Sequence, residues 1–247
     1  MIIKNIVIIG ATSSIAHHTA LLFAKEGASF VLAGRNQKRL DTCAQDLQSR
    51  GAASVSTVIM DSANPKDCEQ LFHQSITALG EIDLLYIAHG SLTDQDRANT
   101  DTQYALDEFV VNFNSAVGYA LTFARYFEQK KSGSIAVLSS VAGDRGRGSN
   151  YIYGAAKGGL GIFLQGLRNR LAKSGVSVLT IKPGFVDTPM TADVPKNQLF
   201  AKPEAIAKSI YSAIKNGKDV VYLPWFWRWI MLIVRLVPER IFKKLSL

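Results

Sequence analysis

Short apolar segments rich in β-branched residues alternate with longer segments of helical pattern, and this alternation restricts the fold more than any other feature. The seven apolar segments cover residues 2–9, 29–33, 55–60, 84–88, 135–138, 176–181 and 220–223. Most are apolar at every position, as expected of strands buried on both faces of a parallel sheet. Glycine stands between a helical segment and the next strand at positions 27, 51, 80, 175 and 217. The pattern predicts an α/β fold with a seven-stranded parallel sheet flanked by helices.

Domain organisation follows from the continuity of this series. No repeat, low-complexity tract or Pro/Ser-rich linker interrupts the 247 residues, so we expect one domain over residues 1–223. The polar stretch Ser91–Thr102 is predicted to be a loop, and residues 224–247 form an appended aromatic and basic tail. Ligands of a parallel α/β sheet bind beyond the carboxyl ends of its strands, so functional residues are expected there.

Composition excludes several classes of protein. The chain is 47% hydrophobic and 19% charged, which excludes a disordered chain. Cys43 and Cys68 are far apart and His17–His18 lack the spacing of a helical metal site, so we expect no metal and a reducing, cytoplasmic compartment. Half of the net charge of +8 lies in the tail, which does not favour nucleic-acid binding. We expect neither a signal peptide nor a membrane-spanning helix.

The first strand runs into a turn suited to phosphate. Gly10 lets the backbone approach a pyrophosphate at the N-terminus of the following helix, and Thr12 and Ser13 add hydroxyl donors. The alternative is an ordinary strand-to-helix turn that a Ser or Thr side chain caps.

The ends of the second and third strands indicate which dinucleotide binds. The second strand is followed by Gly34 and Arg35, where an NAD site would carry an acid, so Arg35 predicts NADP(H); the alternative is a solvated arginine. Asp61 closes the third strand, where it is placed to accept the adenine amino group. The alternative role of Asp61 is a helix cap just before Ser62.

A tyrosine and a lysine form the candidate catalytic pair. Tyr153 and Lys157 share one face of the helix after the fifth strand. Bringing the pKa of a tyrosine from about 10 toward 7 takes about 4 kcal/mol, to which a nearby ammonium contributes. The same spacing recurs at Tyr126/Lys130 and Tyr211/Lys215. Only Tyr153 begins a helix at the ligand edge of the sheet, so we select that pair.

Two further polar residues are expected near this pair. Ser140 ends the fifth strand, and its hydroxyl is suited to polarise a carbonyl while Tyr153 transfers the proton. Asn112 adds an amide on a helix that packs under the sheet. The alternative role of Asn112 is a buried structural amide, and the two roles are compatible.

Together these residues resemble the short-chain dehydrogenase/reductase family over residues 1 to about 223. The matching positions are 10–16, 112, 140–143, 153–157 and 183–188. The resemblance implies a single Rossmann-type, doubly wound domain. It also implies an NADP-dependent oxidoreductase acting on CH–OH and C=O groups.

The resemblance also implies the role of each residue. Tyr153 is the general acid/base, and Ser140 positions the carbonyl. Lys157 lowers the pKa of Tyr153 and holds the nicotinamide ribose, while Asn112 orders a water in a proton relay. The residues implied to contact the nicotinamide are Pro183, Gly184, Val186 and Thr188.

Two segments depart from the family pattern. The usual T-G-x-x-x-G-x-G reads Ile9-Gly10 followed by Ser14-Ile15-Ala16, and the usual N-N-A-G reads Ile87-Ala88-His89-Gly90. Both keep small residues or glycine where the backbone must approach a cofactor. The residues therefore expected to contact it are Ser14, Ile15, Ala88, His89 and Gly90. His89 is unusual at its position, and the sequence assigns it no role.

A narrower resemblance concerns the substrate. The Ile-Ala-His-Gly segment, residues 140–147 and the Trp-rich tail are similar to bacterial reductases of envelope polysaccharide loci, akin to the keto-reductase half of the decaprenyl-phospho-ribose epimerase. This implies a keto sugar carried on a polyprenyl phosphate as substrate. Arg145 and Arg147, on a Gly-rich turn, are suited to grip a phosphate. The alternative is an arginine paired with Asp144 in solvent.

The tail is predicted to contact a membrane. Residues 225–237 are apolar nearly all round, with Arg228 and Arg235 as a narrow polar stripe. Such a helix spans about 20 Å, short of the roughly 30 Å core of a bilayer. We therefore expect an interfacial helix at the inner face of the cytoplasmic membrane. The alternative is a tail docked on a neighbouring subunit.

Oligomeric state and reaction remain open between alternatives. The helix after Ser140 carries Gly158, Gly159, Gly161 and Gly166, which favour close helix packing. The family resemblance implies association through this helix into a homodimer or homotetramer. In a second interpretation, the substrate is not a lipid-linked keto sugar but another hydrophobic ketone, such as a 3-oxoacyl chain or a steroid-like ring. In a third, the chain is a non-catalytic NADP-binding membrane scaffold.

Overall fold

A computed structural model of the chain describes residues 2–61, 64 and 67–245. Seven parallel strands form one sheet in the order β3-β2-β1-β4-β5-β6-β7. The strands are β1 (Asn5–Ile9), β2 (Ser29–Gly34), β3 (Ser54–Ile59), β4 (Leu84–Ile87), β5 (Ser134–Leu138), β6 (Ser177–Pro183) and β7 (Val220–Leu223). The predicted parallel α/β sheet is confirmed. The strand order reverses between β1 and β4, which places the ligand crevice beyond their carboxyl ends.

Helices cover both faces of this sheet. They are α1 (Ser14–Ala24), α2 (Gln37–Ser49), α3 (Asp67–Leu79), α4 (Gln95–Thr100), α5 (Thr102–Phe109), α6 (Ser115–Lys130), α7 (Tyr151–Leu171), α8 (Pro203–Lys215), α9 (Trp227–Leu236) and α10 (Glu239–Phe242). Helices α1, α2 and α8 pack on one face of the sheet, and α3, α6 and α7 pack on the other.

The central strands are apolar throughout because both of their faces are covered. Ile6 and Ile8 of β1 point into the core under α1, while Val7 and Ile9 point into the core under α6 and α7. Successive side chains of a strand alternate between faces, so a doubly covered strand needs apolar residues at every position. Edge strand β3 instead alternates exposed and partly buried residues over most of its length.

Two sequence predictions about these elements are wrong in detail. The first strand begins at Asn5 rather than residue 2, because the Asp83 carboxylate accepts the backbone N–H groups of Lys4 and Asn5, each at 3.0 Å. The stretch predicted as a loop contains α4, which Asp94 caps by accepting from the Arg97 N–H at 3.1 Å. A side-chain cap satisfies a backbone donor that the helix itself leaves unpaired.

The tail folds back onto its own domain. The helix predicted over residues 225–237 is the shorter α9, and its Trp227 and Met231 are each only 6% exposed. They pack with Val141, Phe185 and neighbouring apolar side chains. None of the described helices combines the length and apolar character that crossing a membrane requires.

The glycines of α7 have different neighbours. Gly158 meets the Gly143 carbonyl oxygen, which would lie 2.9 Å from a Cβ at this position, and Gly159 packs near the Phe113 ring. Space is open around Gly161 and Gly166. A close contact within the chain therefore explains only Gly158 of these four glycines, since Gly159 lies at ordinary contact distance from Phe113, and association of α7 with a second copy stays a prediction.

Candidate active site

The turn after β1 holds the end of that strand against the end of β4. Gly10 has a φ of 77°, and a Cβ there would lie 2.6 Å from the His89 backbone nitrogen. Only glycine allows this approach. Ser13 occupies the N-cap of α1, but its side chain makes no capping hydrogen bond. The alternative of Ser13 as a side-chain cap is therefore contradicted. Ser14 and Ile15 form the first turn of α1, where backbone N–H groups lack intrahelical partners.

Cations lie beside this turn. Arg35 is exposed directly after β2, one residue before Asn36, which caps α2 by accepting from the Arg39 N–H at 3.0 Å. The guanidinium of Arg39 reaches the Thr12 carbonyl oxygen at 3.5 Å. The sequence analysis missed Arg39. The sequence feature that indicated Arg39 was its position four residues after Arg35, which places the two arginines on either side of the N-terminus of α2.

Asp61 lies two residues beyond β3. Its backbone N–H donates to the Asp67 carboxylate at 3.1 Å, and Asp61 as a whole is exposed. Its predicted contact with adenine stays a prediction. The alternative cap just before Ser62 involves a residue outside the described ones.

A close contact between Gly143 and Gly158 fixes the position of Ser140 relative to Tyr153. The Ser140 hydroxyl accepts from the Ala142 N–H at 3.1 Å and starts the short 3₁₀ turn Val141–Asp144. That turn packs directly on α7, since a Cβ on Gly143 would lie 2.6 Å from the Gly158 nitrogen. The close approach brings the strand end and the helix start together at the ligand edge.

Burial dominates the protonation of the Tyr153–Lys157 pair. It raises the pKa of Tyr153 to about 12, against which a hydrogen bond with Ser140 acts. Lys157 Nζ lies 5.7 Å from the centre of the Tyr153 ring and donates to the Leu138 carbonyl at 3.3 Å. Burial lowers the pKa of Lys157 to about 8. In the chain without a bound cofactor the phenol therefore carries its proton at pH 7. The lowering of its pKa by Lys157 together with a bound nicotinamide stays a prediction.

Asn112 is held close to Lys157. It lies within a π-helical turn, Val110–Asn114, a feature often found at functional sites. Its amide donates to Glu108 at 3.2 Å and accepts from the Ser91 N–H at 3.1 Å. A Cβ on Gly90 would lie 2.9 Å from Asn112 Oδ1 and 3.3 Å from Lys157 Nζ. The structural role of Asn112 and its position beside Lys157 are therefore compatible, as expected.

Glu108 is a positioning residue that the sequence analysis missed. It is buried and accepts from the hydroxyls of Ser91 and Thr93, each at 2.8 Å, as well as from Asn112. Its signal in the sequence was the four-residue spacing to Asn112, which places both side chains on one helix face.

His89 is a neutral imidazole in one tautomer. Its Nε2 lies 2.7 Å from Ser115 Oγ, and that hydroxyl donates its own proton to the Val111 carbonyl. Nε2 is therefore the protonated nitrogen, and Nδ1 is a buried acceptor with no partner among the described residues. Burial, with smaller contributions from the charges of Lys157 and Arg35, lowers the pKa of His89 to about 3. Ala88 and Gly90 flank it at the end of β4.

The segment after β6 combines an unpaired N–H group with a covered glycine. The Val186 carbonyl accepts from the Thr191 hydroxyl at 2.6 Å, while the Val186 N–H has no partner within the described chain. A Cβ on Gly184 would collide with the Trp227 indole. The buried Trp227 Nε1 also lacks a described acceptor. Pro183 is the last residue of β6, and Thr188 precedes the turn Pro189–Thr191.

The structure contradicts the prediction that Arg145 binds a substrate phosphate. Its guanidinium donates to the carbonyls of Val234 and Val237, at 2.7 and 2.6 Å, and pairs with Glu239 at 2.9 Å. It also lies 3.7 Å from the centre of the Phe242 ring. Arg145 therefore caps the C-terminus of α9, where carbonyls lack intrahelical donors.

The alternative arginine pair with Asp144 is also contradicted. The Asp144 side chain is only 3% exposed and accepts from Lys182 at 2.5 Å and from the Tyr222 hydroxyl at 2.7 Å. Arg147 is left with a buried Nε that has no partner in the described part of the chain, and burial lowers its pKa. Of the two predicted phosphate ligands, Arg147 alone stays available.

The other two Tyr-x-x-x-Lys pairs lie at the opposite edge of the sheet. The Tyr126 hydroxyl accepts from the Ile82 N–H, just before β4, at 3.1 Å. Tyr211 and Lys215 both bind Glu26, just before β2. Their hydroxyl and ammonium groups are thus engaged far from the crevice.

A serine, a tyrosine and a lysine converge with an ordered asparagine at the switch point of a parallel sheet. Fold and site together define an α/β oxidoreductase of the nucleotide-binding type. A family model described as short chain dehydrogenase matches residues 4–199. The chain belongs to the short-chain dehydrogenase family.

Bacterial relatives cover nearly the whole chain. An uncharacterized oxidoreductase of Mycobacterium tuberculosis is 35% identical over 240 residues, 97% of this chain and 96% of the relative. One of Streptomyces coelicolor, from the 5′ region of mprA, is 33% identical over 245 residues, 98% and 96% of the two chains. One of Staphylococcus aureus is 31% identical over 222 residues, 88% and 93% of the two chains. The similarity to the first two extends into the tail, since each alignment is longer than 1–223.

Proposed function

We propose that this protein is an NADPH-dependent carbonyl reductase. The observation that carries the proposal is the convergence of Ser140, Tyr153 and Lys157 at the carboxyl edge, with Asn112 held beside Lys157. A non-catalytic scaffold would have no need for this arrangement of proton-transferring groups.

Each residue has a role that its surroundings support. The Ser140 hydroxyl, hydrogen-bonded to Tyr153, donates to the substrate carbonyl oxygen and orients it. Tyr153 carries its proton at neutral pH and delivers it to that oxygen as the alcohol forms. Lys157 then stabilises the tyrosinate, and its pKa of about 8 lets it pass on a proton near neutral pH. The chemistry that bound NADPH supplies is the hydride for the carbonyl carbon.

The residues of the crevice fit such a dinucleotide. The free first turn of α1 is suited to pyrophosphate, and the unpaired Val186 N–H to a carboxamide oxygen. Arg35, with Arg39 close by, suits a 2′-phosphate, because a guanidinium fork binds phosphate oxygens in pairs. This favours NADPH over NADH.

For the substrate, we propose a keto sugar on a polyprenyl phosphate. Arg147 Nε, Asn150 Oδ1 and Trp227 Nε1 are buried without described partners, and their segments meet this edge of the sheet. Sugar hydroxyls and a phosphate would satisfy such groups. The engagement of Arg145 instead favours the second candidate, a hydrophobic ketone such as a 3-oxoacyl chain or steroid-like ring.

The experiment compares Tyr153→Phe with Tyr211→Phe. We expect Tyr153→Phe to lower kcat for NADPH-dependent ketone reduction by at least about 100-fold, the typical contribution of a positioned acid. Tyr211→Phe removes a phenol of the same spacing at the opposite edge and should retain nearly full kcat. Retention of most turnover in Tyr153→Phe would refute the acid assignment.

The variant Arg147→Gln separates the two substrate classes. For a phosphate-bearing substrate, KM should rise about tenfold or more while KM for a neutral ketone stays the same. An unchanged KM for both would favour the hydrophobic ketone.

A further inference from the structure

Helix α9 presents two apolar faces, and its own domain covers only one of them. The inner face packs on the domain through Trp227, Ile230, Met231 and Val234. The outer apolar face consists of Trp229, Leu232, Ile233 and Leu236, which are 56, 45, 67 and 72% exposed. Both sets have the spacing of one helix face. A contiguous exposed patch of this kind marks an interaction surface.

Cations border the outer apolar face on one side and follow it in the sequence. Arg228 and Arg235 flank it on α9, and Arg240, Lys243 and Lys244 follow on and after α10, all exposed. The one carboxylate of the described tail, Glu239, is already paired with Arg145. Trp225, 71% exposed, extends the apolar surface at the start of α9.

The patch is held in place rather than free to fold back. Arg145 binds the last carbonyls of α9 and stacks on Phe242 of α10. Trp227 and Met231 anchor the inner face. The tail is therefore fixed with the side chains of its outer apolar face directed away from the domain.

We propose that the outer apolar face lies in the interface of an anionic lipid bilayer. The ten residues of α9 span about 15 Å, which suits a helix lying in the headgroup region. Tryptophan prefers that region, and anionic headgroups attract the five cations. A two-fold contact between copies would instead bring each cationic cluster against its own equivalent.

The same helix borders the catalytic edge. Its inner face packs on Val141, the residue after Ser140, and Trp227 covers Gly184. The bilayer surface would therefore lie beside the site. Bilayer binding itself needs no turnover. Uptake of the ketone from the bilayer rests on the proposed function.

Vesicle flotation of the full chain tests the proposal. We expect it to float with equimolar phosphatidylcholine/phosphatidylglycerol vesicles, to bind pure phosphatidylcholine more weakly, and to be released by salt. Trp229→Ser/Ile233→Ser should lower the bound fraction about tenfold or more by removing exposed apolar surface. The matched control is Leu106→Ser/Leu121→Ser, which removes apolar side chains that are 55 and 38% exposed elsewhere and should bind normally.

Further readouts separate a lipid contact from other causes. Brominated lipids should quench the exposed Trp229, and an unchanged melting temperature and NADPH affinity would show that the double variant is folded. A wild-type chain that stays unbound on anionic vesicles overturns the proposal, as does a double variant that binds equally well. Conversion of a dimer to a monomer by the double variant, without loss of vesicle binding, assigns the face to a second copy instead. If Tyr153→Phe retained turnover, the proposed function would fail, but all these vesicle-binding results would be unaffected.

Discussion

Replacement of Lys157 by methionine should abolish catalysis and stabilise the fold. Lys157 is 4% exposed, and its ammonium donates to one backbone carbonyl, that of Leu138. A buried ammonium without a carboxylate destabilises the folded chain. Methionine has a similar shape and no charge, so the variant removes this cost.

The magnitude follows from the pKa of Lys157. Burial lowers it to about 8 from an ordinary value of 10.5. This difference corresponds to about 3 kcal/mol at pH 7. Loss of the bond to the Leu138 carbonyl offsets about 1 kcal/mol. We therefore expect Lys157→Met to raise the free energy of unfolding by about 2 kcal/mol.

The effect should depend on pH in a defined direction. Below pH 8 both folded and unfolded chains carry the charge, and the full destabilisation is present. Between pH 8 and 10.5 the folded chain releases the proton while the unfolded chain keeps it, so the wild type gains stability relative to the variant. The advantage of Lys157→Met should therefore disappear over this range.

Urea unfolding of both proteins without cofactor, at several pH values, measures this difference. Lys130→Met is the matched control, since Lys130 also follows a tyrosine by four residues but pairs with Glu81 and Asp83, at 2.9 and 3.1 Å. Hydrogen bonds to these carboxylates raise its pKa against the effect of burial, so its removal should destabilise the fold. The reasoning is refuted if Lys157→Met is no more stable than wild type at pH 7, or if its advantage persists at high pH.

Four further predictions concern other parts of the molecule. Arg35→Ser should raise KM for NADPH about tenfold or more and leave KM for NADH unchanged in steady-state assays. Arg145→Ala should leave KM for a phosphate-bearing ketone unchanged but expose the tail to limited proteolysis, since its cap on α9 is lost. Trp227→Phe, which removes the unpaired indole N–H together with part of a buried ring, should raise KM for the ketone and lower the melting temperature by a few degrees. Ile162→Arg, on the exposed face of α7, should yield a monomer by light scattering if the predicted oligomer forms there.

Local patterns predicted the elements that bury a regular face. The strands of the central sheet were identified because double burial requires apolar residues in sequence. The pair Tyr153 and Lys157 was identified because helix geometry alone places residues four apart on one face. Helix α4 was missed, although Asp94 and Asp101 before short polar segments are capping signals, because its polar sequence shows little apolar periodicity.

The candidate site was predictable where backbone geometry determines the positions of its residues. It was less predictable where a charged side chain can bind any of several partners. Ser140, Asn112 and the pair lie at the expected edge. Arg145 was assigned to a ligand because its partners lie 89 to 94 residues along the chain. Asp144 was assigned to a neighbouring arginine, whereas Lys182 and Tyr222 bind it from two different strands.

The sequence by itself determined the parallel sheet, the glycine turn after β1 and the helical Tyr–Lys pair, because strand and helix periodicities depend on near neighbours. Only the tertiary structure decided which face of α9 is buried and which arginine caps the C-terminus of that helix. It also decided whether burial or charge governs the pKa of Tyr153 and Lys157. These outcomes depend on desolvation and on partners distant in sequence, which exist only once the chain has folded.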